Sequence, residues 1–267
     1  MSYPFMIWTM HRSGGTSLIR LLMEMSEHKS AEPEPFNWGR SRTRQFAYVT
    51  MAWRKNKDKA AFAAALAEIF AQRYVIKHCY QMFSVEFNRG LLEAAAKTEY
   101  RHVFLRRRDE LARIVSQFVA EATGGWHPEM ALRIYKNVRE GRRKLPPIPV
   151  DEAVARFVST RRRTDEVLRS MQEFDAPCLE VYHEDLYQGV REARIARLYQ
   201  VFDFLGFTAQ MVEQHGALIE EKLFNRGQDT PSIARFVPNL PAVIAAVRAA
   251  GYEPPASGLG AAEAFPS

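Results

Sequence analysis

Cysteine is scarce in this chain, and long apolar stretches are missing. Its 267 residues include two cysteines, Cys79 and Cys178. Two thiols cannot build a disulfide framework or a zinc knuckle, and they point to a reducing compartment. No group of His, Cys and Asp residues has metal-ligand spacing along the sequence. No run approaches the roughly 18–20 apolar residues of a membrane span. Met1–Trp8 lack the basic start and long apolar stretch of a signal peptide. Together these absences predict a cytoplasmic protein with no membrane span. Internal repeats and low-complexity tracts are absent as well.

What is present suits a globular α/β protein. Hydrophobic residues make up 47% of the chain, too many for disorder. The formal net charge is +6 and the isoelectric point is near 9.4, which suggests an anionic partner. Four short, continuously apolar runs, Phe5–Thr9, Tyr74–Lys77, His102–Leu105 and Cys178–Tyr182, predict strands covered on both faces. Helical spacing separates them. It shows at Leu18, Leu21, Leu22 and Met25, at Phe62, Leu66, Ile69 and Phe70, and at Leu111, Ile114, Val115 and Phe118. It shows again at Val154, Phe157 and Val158 behind a capping Asp151, and at Leu198, Val201, Phe202 and Leu205 before a terminating Gly206. The Lys144–Pro149 segment, with three prolines, predicts a surface loop. The expected fold is a three-layer, P-loop-type α/β architecture with a central parallel sheet flanked by helices. Residues 1–252 are expected to form a single domain, with 253–267 as a flexible tail.

The most informative segment is Phe5-Met-Ile-Trp-Thr-Met-His-Arg-Ser-Gly-Gly-Thr-Ser-Leu18. An apolar strand enters a glycine turn that opens an amphipathic helix. Gly14 and Gly15 permit a tight turn and bring N–H groups close to an anion. Thr16 and Ser17 add hydroxyls, and Arg12 adds a fixed positive charge. The turn departs from the nucleotide-hydrolase pattern GxxxxGK[ST]: no lysine follows the glycines, the loop is shorter, and the basic residue precedes it.

A strand followed by Arg-Ser-Gly-Gly-Thr-Ser-Leu resembles the 5′-phosphosulfate loop of the sulfotransferases that use 3′-phosphoadenosine-5′-phosphosulfate (PAPS). The resemblance implies that Arg12, Ser13, Gly14, Gly15, Thr16 and Ser17 hold the 5′-phosphate and sulfonate end. It also implies a second, 3′-phosphate element, an arginine at a strand end with a serine eight residues later. Arg108 and Ser116 have that spacing, after a strand ending in Arg106-Arg-Arg108, with Asp109 placed to cap the following helix. On a helical wheel Ser116 falls roughly 140° from Leu111, off the apolar stripe, free to face a ligand or water. The segment Gln117–Trp126 resembles the bacterial carbohydrate and glycolipid sulfotransferases of this family. Trp126 suits either stacking on a base or sugar or a place in a core. Val181–Leu186 with Leu198–Gly206 resembles the family's late strand and helix, and Arg226 in Asn225-Arg-Gly227 resembles its late basic loop over the 3′-phosphate.

The implied reaction moves a sulfonate from PAPS to an acceptor hydroxyl. It needs cations at the leaving group and a base for the acceptor proton. Arg12 and Lys77 are the candidate cations. Lys77 is expected at the end of its strand, where doubly wound folds place ligands. Glu34, Glu32 and His78 are the candidate bases, with Glu34 favoured. The family usually carries Lys-x-His at this strand end, whereas Lys77-His78 turns the ring to a different face. The resemblance implies no metal. The acceptor is expected to be a carbohydrate, a glycolipid or another hydroxylated small molecule, set by segments such as Phe36–Arg54 and Gly124–Pro149, read as loops. The competing readings are another P-loop enzyme, such as a small-molecule kinase, and a non-catalytic anion- or RNA-binding protein. No nucleic-acid module supports the last, and Arg161–Arg163 read as the solvated face of a helix.

Overall fold

The computed structural model describes residues 2–30, 34–37, 43–56, 58–126, 128–224, 233–256 and 258–259. The four strands are β1 (Phe5–Thr9), β2 (Ile76–Cys79), β3 (Arg101–Arg106) and β4 (Cys178–Tyr182). They form one all-parallel sheet in the order β2-β1-β3-β4. The described helices are α1 (Gly15–Met25), α2 (Arg44–Asn56), α3 (Lys59–Ala71), α4 (Val85–Ala95), α5 (Glu110–Thr123), α6 (Pro128–Arg139), α7 (Val150–Glu173), α8 (His183–Tyr187), α9 (Arg191–Leu205), α10 (Ala209–Gln214), α11 (Gly216–Phe224) and α12 (Leu240–Ala249). Among the described residues no helix is long and apolar enough to cross a membrane.

The chain falls into two compact units. One comprises Met1–Arg106 and Arg163–Phe224, the other Arg107–Arg162 and Asn225–Ser267. The first holds the whole sheet. Side chains alternate across a strand, and β1 divides accordingly. Met6 and Trp8 pack with Ile76, Phe104 and residues of α2, α3 and α4, such as Phe46, Leu66 and Leu91. Phe5 and Ile7 pack on the opposite face with Val103, Val181 and residues of α1 and α9, such as Leu18, Leu22 and Val201. Both faces of the sheet are therefore covered, which is why its strands read as continuous apolar runs.

The second unit is helical. Its core joins α5, α6, the first part of α7, and α12 through residues such as Val115, Tyr135, Phe157 and Val243. Asp109 caps α5 as expected: its side chain accepts the Ala112 N–H at 2.7 Å. The same carboxylate accepts the Tyr252 hydroxyl at 2.8 Å and the Leu259 N–H at 2.5 Å. Leu259 is buried, so the start of the segment read as a tail is tied down, and 260–267 lie outside the described residues. Asp109→Ala removes all three bonds at a buried site. It is expected to destabilise the protein by about 2–3 kcal/mol, seen as a lowered midpoint in urea.

Several local expectations shift. β2 starts two residues later than Tyr74 and runs on to Cys79, so Lys77 sits inside the strand, not at its end. α7 begins at Val150, which places Asp151 within the first turn. There its charge favours the helix N-terminus without capping it. The segments 36–54 and 124–149 are not mainly loops: α2 occupies much of the first and α6 much of the second. Lys144–Pro149 is a loop as expected, although Leu145 and Ile148 are buried.

Candidate functional site

The glycine turn follows β1 at the carboxyl edge of the sheet. β1 pairs with β2 on one side and with β3 on the other. The connections after β1 and β3 therefore depart in opposite directions, which is where open α/β sheets bind ligands. The backbone is left-handed at Arg12 (φ 67°) and at Gly14 (φ 82°). Gly14 is the N-cap of α1, and no side chain caps that end. Like any helix N-terminus, that end presents backbone N–H groups and carries a partial positive charge.

Both glycines are required by space. A Cβ on Gly14 would lie 2.7 Å from Tyr187 Cε2 and 2.8 Å from His183 Nδ1, and one on Gly15 would lie 2.8 Å from Thr9 Cγ2. The turn is braced from α8, where the Tyr187 hydroxyl donates to the Gly14 carbonyl at 3.2 Å and His183 Nδ1 lies 3.3 Å from the Ser13 carbonyl. Gly14→Ala combines a left-handed φ with a ring collision. It is expected to cost about 1–3 kcal/mol, measured by chemical denaturation.

A buried ion pair lies beside the turn. Lys77 is 4% exposed and Glu34 8%. Lys77 Nζ donates to Glu34 Oε1 at 2.6 Å and to Thr16 Oγ1 at 3.1 Å. The Cys79 thiol donates to the same carboxylate oxygen at 3.2 Å. Glu34 is itself left-handed, at φ 69°, and its carbonyl accepts the Asn37 N–H at 2.9 Å. Lys77 and Cys79 share one face of β2 because they are two residues apart. Thus a lysine absent from the glycine loop arrives from the neighbouring strand.

Burial pushes the Glu34 carboxyl upward. The Lys77 ammonium outweighs that with its charge and hydrogen bond, aided by His11 and Cys79, and holds Glu34 near 2 against an ordinary 4.5. A lowered carboxyl stabilises the fold above its unfolded value, and the contribution fades as pH falls toward the folded one. The stability difference between the protein and Glu34→Gln is therefore expected to stay constant from pH 7 to 5. It should shrink between about 4.5 and 2. Urea melts across that range check it.

His78 is turned the other way. It is 1% exposed, its Nε2 lies 2.7 Å from Asn88 Oδ1, and its ring packs against Trp8, Phe36 and Phe83. Burial pushes its pKa down to about 4. The structure makes it a core histidine and does not bring it to the Lys77–Glu34 pair. Glu32 and Arg226 lie outside the described residues.

The basic cluster at the end of β3 disperses. Arg106 Nη1 binds Glu180 Oε1 on β4 at 2.7 Å. Arg107 is buried and Arg108 is exposed. Arg108 and Ser116 belong to the second unit. Ser116 does not face water: it is 1% exposed on α5, because that helix buries more than its apolar stripe. Trp126 is half-buried. Arg161 pairs with Glu110 and with the Gly251 carbonyl, while Arg163 donates to the carbonyls of Gln81 and Phe83. These two arginines therefore have structural partners rather than a purely solvated role.

Sequence reasoning missed the braces His183 and Tyr187 and the companions His11 and Cys79. His11 adjoins the turn and could have been found from its place before Arg12, whereas the others carry no local signal. No model of a known protein family matches the chain, and no curated protein matches it.

Proposed function

We propose that the protein is a sulfotransferase that moves a sulfonate from PAPS to a hydroxyl of a carbohydrate, glycolipid or other small molecule. The observation that carries this reading is the placement of Lys77. Its ammonium joins a hydroxyl of the glycine turn to a buried carboxylate within 3.1 Å and 2.6 Å, so a cation and a base meet at the mouth of an anion cradle.

In this reading the backbone of Ser13–Ser17 and the Arg12 side chain hold the 5′-phosphate and sulfonate. Gly14 and Gly15 keep the turn tight against Tyr187, His183 and Thr9, where a Cβ has no room, and so hold its backbone in place. Lys77 sits against the oxygen that gains charge as the S–O bond breaks. Glu34 accepts the proton of the attacking hydroxyl, and the products are a sulfate ester and adenosine 3′,5′-bisphosphate. Transfer is in-line, so positioning supplies much of the catalysis. Arg108 and Ser116 are assigned to the 3′-phosphate by the family resemblance alone.

Thermal shift compares adenosine 3′,5′-bisphosphate with ATP plus magnesium. At a hundredfold excess over Kd, a bound ligand adds about 2.7 kcal/mol. A clear upward shift with the bisphosphate and little with ATP is expected, followed by transfer of labelled sulfonate from PAPS to hydroxylated acceptors. A preference for ATP with magnesium would replace this reading with a kinase.

A further inference from the structure

Three side chains distant in sequence meet beside Lys77: His11 in the turn after β1, Glu34 after α1, and Cys79 at the end of β2. One ligating atom of each lies within 4.8 Å of the other two. One pair is already close, with Cys79 Sγ 3.2 Å from Glu34 Oε1. We propose that this cluster is a binding site for a divalent ion of the zinc class, and that such an ion inhibits the protein by withdrawing Glu34 from proton transfer. The first half stands on the cluster alone, and the second rests on the proposed function.

The donor set determines the class of ion. One imidazole, one carboxylate and one thiolate suit borderline ions such as Zn²⁺ and Co²⁺ and suit neither Mg²⁺ nor Ca²⁺, which prefer oxygen. Tetrahedral zinc has bonds of about 2.0–2.3 Å, which place its ligand atoms roughly 3.3–3.8 Å apart. The cluster reaches that geometry by movements of about an ångström, within the range of small side-chain rotations. His11 is oriented from behind: Gln81 Oε1 accepts its backbone N–H at 3.1 Å, and Gln81 Nε2 lies 3.1 Å from its Nδ1. Such outer partners fix the ring that ligates.

Charge balance is specific. At present Lys77 neutralises Glu34. The ion binds Glu34 as a carboxylate and Cys79 as a thiolate, so the thiol proton leaves on binding. The Lys77 ammonium then remains on Thr16 and repels the ion, which places ion and lysine in competition for one carboxylate. An ion in that position holds the group that the acceptor hydroxyl needs.

The test titrates Co²⁺ into the reduced, full-length chain and follows the thiolate-to-cobalt charge-transfer band, with Zn²⁺ as competitor. One ion per chain and release of about one proton are expected. The band should vanish in Cys79→Ser and persist in Cys178→Ser. His11→Ala, at a half-buried turn residue, should weaken binding at least tenfold. Absence of the band, or a band that survives Cys79→Ser, overturns the site. Saturating Zn²⁺ should abolish sulfonate transfer, and transfer that continues with the site filled overturns the inhibitory half. A protein that binds Co²⁺ through Cys79 yet never transfers sulfonate retains the metal site and loses the proposed function.

Discussion

Glu34→Gln is expected to lower kcat for sulfonate transfer by about 10²- to 10⁴-fold, the usual worth of a positioned general base. Glutamine keeps the shape of the side chain and an oxygen for Lys77, but it cannot take a proton. The Kd for adenosine 3′,5′-bisphosphate should change little, because Arg12 and the turn backbone remain. That split distinguishes a base from a support. A residue that merely holds Lys77 in place would raise the KM for PAPS and weaken the bisphosphate together. Glu34→Ala supplies a second readout: added formate or acetate should restore part of the rate by occupying the vacated space. Near-normal turnover in both variants removes Glu34 from the mechanism.

The fold was legible where the pattern is local. β1 and β4 begin and end where continuous apolar runs do, and Gly206 ends α9 with φ 75°. β2 was displaced because Tyr74-Val-Ile is apolar whereas the paired segment is Ile-Lys-His-Cys. A buried lysine and a buried histidine look like a strand's end when their partners are unseen. α2 was legible but overlooked, since Phe46, Val49 and Trp53 are all buried with helical spacing. Ser116 misled because a wheel ranks directions relative to one stripe, and α5 also buries Ala112 and Arg113.

The candidate site was legible in its halves and not in its join. The turn's residues declare their chemistry through sequence order, and Glu34 stands out as an acid between prolines. Their meeting depends on contacts across 43 residues for Lys77 and Glu34 and 173 for Tyr187 and Gly14. Such separations leave no periodicity to read. Lys77 and Cys79 share a face and His78 takes the other, a consequence of strand geometry that required only the correct strand boundary.

The same geometry makes Lys77 the most consequential position for stability. Lys77→Met keeps the length and apolar body of the side chain and removes the ammonium, leaving the Glu34 carboxylate buried without its counter-charge. Breaking a buried pair from one side costs about 3–5 kcal/mol. The loss should be largely reversed in the double variant Lys77→Met/Glu34→Gln, because no buried charge then remains, and a double-mutant cycle measures the coupling. The pH dependence changes sign. With Lys77 present, the Glu34 carboxyl is held below its ordinary value, and acid weakens the fold. Without Lys77, burial is the dominant influence and drives that carboxyl upward. A raised carboxyl favours the fold when protonated, so the single variant should gain stability relative to the parent as pH falls from 7 toward 4. Urea midpoints at pH 7 and pH 5 test this directly. A Lys77→Met protein that is as stable as its parent at pH 7, or that loses ground to it on acidification, would mean that the ion pair is not the charge balance of this site.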